Sequence, residues 1–308
     1  MTTTIALTGG TGFVGTEVMR QAAAQGIHIR ALTRRPQASR EGVTWVEGTL
    51  ADGAALERLV TDADAVLHVA GVVNAPDRAG FDAGNVAGTQ AVVDAALAAG
   101  LWRFVHVSSL AAREPALSDY GASKACAEGV VVGSSLDWVM VRPPAIYGPN
   151  DCEMLDLFRM ARHRIMTLPP AGRLSVIHVS DLARVLLSLA TVETLPNSAA
   201  HATLEVDDGR PGAWTHDAFA QAIGRAVDRK VLPIALPAPV IRAGAWLDGL
   251  FRGKKAKLTP DRARYFCHPD WTVDPAKMPP VALWTPQVDT ETGLVETAAA
   301  YRAKGWLG

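Results

Sequence analysis

Residues Thr8–Gly15 read TGGTGFVG, directly after the β-favouring run TTIAL and directly before the helical run TEVMRQAAAQG. In an α/β sheet, the first strand-to-helix turn aims free backbone N–H groups and a helix N-terminus at an anion. Gly9 permits the tight turn, Gly12 lets the backbone approach a pyrophosphate, and Gly15 lets the helix pack closely on its strand. The spacing is G-x-x-G-x-x-G, less common than G-x-G-x-x-G. It is the strand before it and the helix after it that turn a weak motif into a dinucleotide site.

Outward from this loop, apolar runs alternate with helical patterns: TIALTG, HIRALTR, VTWVEG, AVLHVAG, RFVHVSS and DWVMVRPPAIYG, with stretches such as NVAGTQAVVDAALAAG between them. The alternation predicts a parallel sheet with helices on both faces, and the nearly continuous apolar strands fit burial on both sides. The fold class is therefore α/β, a doubly wound Rossmann sheet. After Gly148 the chain becomes richer in Pro, Trp and Arg, punctuated by LPP, LPIALPAP and KMPP, and one α/β unit returns at RLSVIHVSDLARVLLSLA. These shifts assign residues 1–149 and about 174–198 to the dinucleotide domain. Residues about 150–173 and 199–308 then form a smaller, mostly helical substrate domain.

Composition narrows the function classes. With 30 Lys and Arg against 31 Asp and Glu in 308 residues, the net charge of −1 offers no electrostatic footprint for nucleic acid. Cys126, Cys152 and Cys267 are widely spaced and odd in number, which suggests neither a disulfide framework nor a metal site. No leader pattern precedes the first strand and no apolar run approaches the roughly 20 residues of a membrane span, so a soluble cytoplasmic protein is expected.

The end of the second strand bears on the choice of dinucleotide. An acid at that point accepts the adenine ribose 2′-hydroxyl, whereas an arginine accommodates a 2′-phosphate. Here the strand ends ALTRRP, with Arg34 and Arg35 and no acid. Either they form a solvated surface pair or they bind phosphate, and the forked guanidinium geometry favours NADP(H) over NAD(H). The third strand ends VEGTLAD, where Leu50 and Asp52 are placed for the adenine, although Asp52 can equally cap the next helix.

The fifth strand ends at Ser108 and Ser109, and eleven residues after Ser109 comes Tyr120 in YGASK, which closes with Lys124. Residues four apart on a helix share a face. A lysine so placed eases proton loss from the phenol, and a serine hydroxyl at a strand end can hold a carbonyl oxygen beside it. Such a group suits hydride transfer. Tyr-x-x-x-Lys and Ser-Ser each occur by chance, and their order after a dinucleotide loop gives them weight.

TGGTGFVG, HVAG, NVAGT, VSS, YGASK, RPPAIYGP and VIHVSDLA together resemble the short-chain dehydrogenase/reductase superfamily, in its extended NAD(P)-dependent epimerase/dehydratase branch, over nearly the whole chain. The resemblance implies Thr8, Gly9, Gly12, Phe13, Val14 and Gly15 at the pyrophosphate end, Arg34 and Arg35 at a 2′-phosphate, and Leu50 and Asp52 at adenine. It implies Ala70, Gly71, Asn85 and Val107 along the cofactor, with Pro143 and Ile146 beside the nicotinamide. Ser109, Tyr120 and Lys124 become the catalytic residues, and a shift of one position would exchange Ser109 for Ser108. Relatives of this kind also pair as homodimers through the NVAGT and YGASK helices.

Within the branch, nucleotide-sugar enzymes carry an asparagine where this chain has Ala145, and dehydratases place Asp-Glu where it has Leu110 and Ala111. RPPAIYGP instead resembles 3β-hydroxysteroid dehydrogenases and dihydroflavonol-type reductases. The expected function is an NADP(H)-dependent ketoreductase of an apolar substrate, sterol-like or of the ketosphingoid or oxo-ceramide type. The alternatives are a nucleotide-sugar epimerase/dehydratase and a non-catalytic NADPH-binding protein like the accessory subunit of respiratory complex I. In about 239–257, PVIRAGAWLDGLFRGKKAK places Val240, Ala243 or Gly244, Leu247 and Leu250 or Phe251 at helical spacing, with Trp246 alongside and lysines after them. This stripe either covers a core or lies on an anionic membrane surface. His68, His106 and His178 read as hydrogen-bonded core residues, and RYFCHPDW has no assigned role.

Overall fold

Seven parallel strands form the main sheet, in the order β11 (Thr203–Glu205), β6 (Asp137–Arg142), β5 (Arg103–Val107), β4 (Ala65–His68), β1 (Thr4–Thr8), β2 (His28–Thr33) and β3 (Val43–Glu47). The computed structural model describes residues 2–253 and 258–307. The chain divides into two units: Met1–Pro143 with Ser180–Val206 and Asp274–Thr285, and Pro144–Val179 with Asp207–Val273 and Pro286–Gly308.

In the first unit β1 (Thr4–Thr8), β2 (His28–Thr33), β3 (Val43–Glu47), β4 (Ala65–His68), β5 (Arg103–Val107) and β6 (Asp137–Arg142) alternate with α1 (Phe13–Ala24), α2 (Gly53–Val60), α3 (Arg78–Phe81), α4 (Gly88–Ala98) and α5 (Asp119–Val132). Strand ends align, with Thr8 opposite His68 and His68 opposite His106. The next turns and helices therefore leave the sheet side by side at its carboxyl edge, where ligands of such sheets sit. Leu56, Leu59, Val92, Phe104 and Trp138 belong to the core packed on one face.

The seventh strand, β11 (Thr203–Glu205), pairs with β6, although the sequence pattern assigns residues 199–308 to the substrate domain. Three residues carry too little periodicity to announce a strand. Residues 274–285 also fold with the first unit. One of their ties is the Asp274 N–H, which donates to Glu205 at 2.8 Å. Helix α7 (Val179–Thr191) takes Ser180 and Asp181 into its first turn.

The second unit is built from β7 (Ala145–Tyr147), α6 (Leu155–Arg162), β8 (Ile165–Leu168), β9 (Arg173–Leu174), β10 (Val176–His178), β12 (Trp214–Thr215), α8 (His216–Ala226), β13 (Leu232–Ala235), α9 (Ala238–Arg252), α10 (Pro260–Phe266), β14 (Asp270–Trp271) and α11 (Thr290–Ala303). The run DWVMVRPPAIYG is thus two strands, β6 and β7, broken at Pro143-Pro144 where the ladder lacks donors. Tyr147, Phe158, Trp214, Phe219 and Tyr301 belong to this unit's core.

Helix α9 inverts the usual partition. Ala245 is its one fully buried residue, while Val240, Leu247 and Leu250 are exposed, Trp246 is 64% exposed and Phe251 81%. The apolar stripe faces outward and does not cover the core. Lys254, Lys255 and Lys257, which complete the basic cluster of that expectation, lie outside the described residues. Among the described residues no helix is long and apolar enough to cross a membrane.

Candidate active site

The glycine loop is held by backbone proximity. Gly9 has φ +77°, and a Cβ there would stand 2.7 Å from the Ala70 nitrogen. On Gly15 a Cβ would come within 2.2 Å of the Gly9 carbonyl oxygen, a distance no side chain tolerates. Gly15 thus packs against the loop itself. Gly12 is the N-cap of α1, whose first turn has no side-chain cap and no acid, so its N–H groups and positive dipole end suit an anion. Phe13 and Val14 are half-buried in that turn.

Arg34 and Arg35 are exposed just beyond β2, and neither forms an ion pair among the described residues. Asp52 is the N-cap of α2, accepting from the Ala55 N–H at 3.1 Å. Leu50 is half-buried and close to α4, since a Cβ on Gly88 would meet its Cδ1 at 2.7 Å.

A hydrogen-bonded chain runs beneath the strand ends. The Ala70 N–H donates to Thr8 Oγ1 at 3.2 Å, and Thr8 Oγ1 lies 2.7 Å from His68 Nδ1. His68 Nε2 is 3.0 Å from Thr89 Oγ1, which donates to the Asn85 carbonyl at 2.6 Å. Because Thr89 is a donor in that bond, His68 carries its proton on Nε2 and accepts on Nδ1. Burial, reinforced by the Lys124 charge, lowers His68 to about 3, so this imidazole is neutral. Asn85 lies in a π-helical turn, Asp82–Ala87, a distortion frequent at functional sites. Its side chain accepts from the Val72 N–H at 2.6 Å and donates to Val72 O at 3.0 Å and Ser123 Oγ at 2.9 Å.

Tyr120 and Lys124 sit in the first two turns of α5, whose N-cap Ser118 accepts from the Gly121 N–H at 2.9 Å. The absence of a side chain at Gly121 lets α5 approach the turn after Ser109, since a Cβ there would stand 2.6 Å from Ala111 O. Tyr120 is half-buried, its ring 6.0 Å from that of Phe81. Lys124 is 4% exposed and donates to Val107 O at 2.8 Å. A Cβ on Gly71 would stand 3.3 Å from Asn85 Oδ1 and 3.5 Å from Lys124 Nζ, which brings Gly71, Asn85 and Lys124 together. Burial lowers Lys124 to about 8, with the nearby Glu128 carboxylate acting in the opposite direction.

The two serines differ. Ser108 Oγ donates to Glu128 Oε1 at 2.6 Å, whereas Ser109 Oγ caps the 3₁₀ turn Leu110–Arg113 by accepting from the Ala111 N–H at 3.2 Å, leaving its own O–H to donate. Pro143 is buried and its carbonyl accepts from the Leu110 N–H at 3.1 Å. Ile146 lies in β7 of the second unit.

Sequence reasoning missed the ion network behind α5. Arg142 forks onto Glu128 at 2.7 and 2.6 Å and approaches Glu205 at 3.7 Å. Arg113 and Lys277 also meet Glu205, at 3.4 and 3.6 Å. The available signal was Glu128, four residues beyond Lys124 on the same helix face.

Comparison with known proteins bears on the family and the fold. A sequence profile described as NAD(P)H-binding matches residues 9–191. A ceramide reductase from Caulobacter vibrioides is 36% identical, over 98% of this chain and 96% of its own. A 2-alkyl-3-oxoalkanoate reductase from Stenotrophomonas maltophilia is 29% identical, over 97% and 99%. Among solved structures, the Bordetella bronchiseptica enzyme WbmG in complex with NAD superposes with a TM-score of 0.75, covering 99% of this chain and 96% of that one at 19% identity, which speaks for the fold alone. Glycine loop, parallel sheet and full-length similarity converge: the chain belongs to the NAD(P)H-binding family, which accords with its resemblance to the short-chain dehydrogenases/reductases.

Proposed function

We propose that this protein is an NADP(H)-dependent ketoreductase that interconverts a ketone and a secondary alcohol on an apolar, lipid-like molecule of the oxo-ceramide, ketosphingoid or sterol type. The observation that carries the reading is a buried ammonium, Lys124, one helical turn from Tyr120 and beside Gly71 and Asn85 at the carboxyl edge of the sheet. The N-terminus of α1 receives the pyrophosphate, and Arg34, which has no ion-pair partner among the described residues, takes with Arg35 the 2′-phosphate that favours NADP(H). When bound, the dinucleotide supplies the hydride that reaches the carbonyl carbon. Ser109 Oγ–H holds the carbonyl oxygen, Tyr120 gives that oxygen its proton, and Lys124 stabilises the charge left on the phenol while reaching toward the nicotinamide ribose. Ser108 is a poorer candidate for the carbonyl because its hydroxyl is engaged by Glu128.

The relatives' names support the substrate class, since both reductases act on molecules named for ceramide or an alkyl chain. The outward apolar face of α9 supports a peripheral contact with an anionic bilayer, from which such a substrate would come. Val240, Trp246, Leu247, Leu250 and Phe251 offer the insertion surface, and exposed Arg242 offers complementary charge, Arg252 being paired with Asp248 at 3.2 Å. Incubation with NADPH and a panel of long-chain oxo-ceramides, ketosphingoid bases and sterol ketones should consume NADPH in step with ketone loss, with NADH about tenfold or more less effective. No turnover across the panel would overturn the reading. Epimerisation of a UDP-sugar with tightly held NAD would put the sugar-nucleotide alternative in its place.

A further inference from the structure

We propose that the two-stranded sheet of β8 and β13 is a second bilayer-contact surface: its outward apolar face meets an anionic lipid surface, and the cations gathered at its amino end meet the negative headgroups. The inference rests on the reading of the substrate as lipid-like, and it involves none of the residues assigned to α9.

The two strands pair in parallel, with Ile165 opposite Leu232 and Thr167 opposite Ile234. Side chains alternate across a sheet, so these four share one face while Met166 and Leu168 point to the other. Met166 and Leu168 are buried in the core of their unit. The opposite face is just as apolar but stays outside: Ile165 is 51% exposed, Leu232 60% and Ile234 39%. Apolar side chains clustered on a surface mark a place of contact.

Parallel pairing also brings the approaches to both strands to one end. The Leu232 N–H donates to Arg164 O at 2.8 Å, so Arg162 and Arg164 before β8 converge with Arg229 and Lys230 before β13. All four are exposed, and none forms an ion pair among the described residues. The acids at hand are already answered, Asp228 by Arg302 at 3.4 Å and Asp156 by Arg159 at 3.0 Å. Cations in the last turn of a helix offset its dipole, and Arg159, Arg162 and Arg225 fill those places in α6 and α8. Arg164, Arg229 and Lys230 stand beyond both helices. Arg164 moreover takes φ +66°, where glycine would sit with less strain. Cations alone would suit any polyanion, but cations beside exposed Ile165, Leu232 and Ile234 suit a surface that is anionic outside and apolar beneath. β13 runs on through Leu236 and Pro237 into α9, so residues 232–251 of one unit carry both outward apolar surfaces.

The test is flotation with vesicles of phosphatidylcholine alone or with about 30% phosphatidylglycerol. The wild type should bind the anionic vesicles at about 0.1 M salt and leave them toward about 0.5 M, where charge is screened. The triple change Arg164→Gln, Arg229→Gln, Lys230→Gln should weaken that binding about tenfold or more. The pair Leu232→Ser, Ile234→Ser should weaken it several-fold and leave its salt dependence in place. Both variants should reduce a short, water-soluble ketone within about twofold of the wild-type rate, since the changed residues are exposed. Should the serine pair fail to fold, the glutamine triple decides, because its positions lie in turns outside the strands. Variants that float like the wild type, as they would if α9 alone held the vesicle, overturn the proposal, and so does equal binding to both kinds of vesicle. A wild-type dimer that floats with neither vesicle and is dissociated by the serine pair overturns it too and gives the face to a second copy. Flotation with no ketone reduced would sink the ketoreductase reading and leave the surface standing. Ketone reduction without flotation would do the reverse.

Discussion

The carboxyl edge of the first unit and helix α9 of the second break the ordinary partition of side chains in opposite directions. Around α5 the chain buries Lys124, Glu128, His68, Asn85 and Glu205, whereas α9 exposes Trp246, Leu250 and Phe251. Polar groups inside and apolar groups outside both cost stability unless something answers them. At α5 the answer is largely internal: Lys124, Glu128, His68 and Asn85 have hydrogen-bond partners, whereas His106, expected to be a hydrogen-bonded core histidine, has none on either ring nitrogen among the described residues. At α9 nothing within the described residues covers the stripe. On the proposed function, the difference separates a site organised for chemistry from a surface organised for contact.

Substitutions can break that contrast. The largest effect is expected from Gly15→Val, whose Cβ would fall 2.2 Å from the Gly9 carbonyl oxygen. The loop must open, and NADPH binding by fluorescence or calorimetry should weaken by about a hundredfold or more. Lys124→Met comes next and has two signs. Reduction should fall about a hundredfold, yet the fold should gain stability at pH 7. Lys124 titrates near 8 in the native state against 10.5 when free, so below pH 8 the folded chain carries the cost of a buried ammonium. That cost is relieved as the pH rises from about 8 to 10.5. Removing the charge should add on the order of 1–3 kcal/mol at pH 7, read by denaturant unfolding, and the advantage should shrink at high pH.

The smallest effect on the fold belongs to α9. Paired Leu250→Ser and Phe251→Ser changes should leave stability within about 0.5 kcal/mol, because both side chains already face solvent. They should weaken cosedimentation with phosphatidylglycerol-containing vesicles several-fold. Unchanged sedimentation would remove the bilayer from the reading, and a large loss of stability would return the stripe to the core.

The same contrast explains what was legible in the sequence. Rossmann class, strand ends, glycine loop and the Tyr120–Lys124 spacing are short-range features, each fixed by periodicity or by backbone geometry within a few residues. The Glu128–Arg142–Glu205 network joins α5, β6 and β11, and its members are distant in the chain. No local pattern encodes it. β11 itself is three residues long, and the return of 274–285 to the first unit depends in part on a single carboxylate, Glu205. For α9 the 3.6-residue period showed that a stripe exists. Which way it faces depends on packing: the small residues Gly244, Ala245 and Gly249 lie on the less exposed side.

Tyr120→Phe tests the central claim most directly. The phenylalanine keeps the ring against Phe81 and leaves Lys124 on Val107 O, so the fold and NADPH affinity should match the wild type within about twofold. Reduction of a long-chain ketone should fall by on the order of 10² to 10⁴. A phenylalanine variant that reduces the ketone at the wild-type rate, or a wild type with no reduction to lose, would contradict the account.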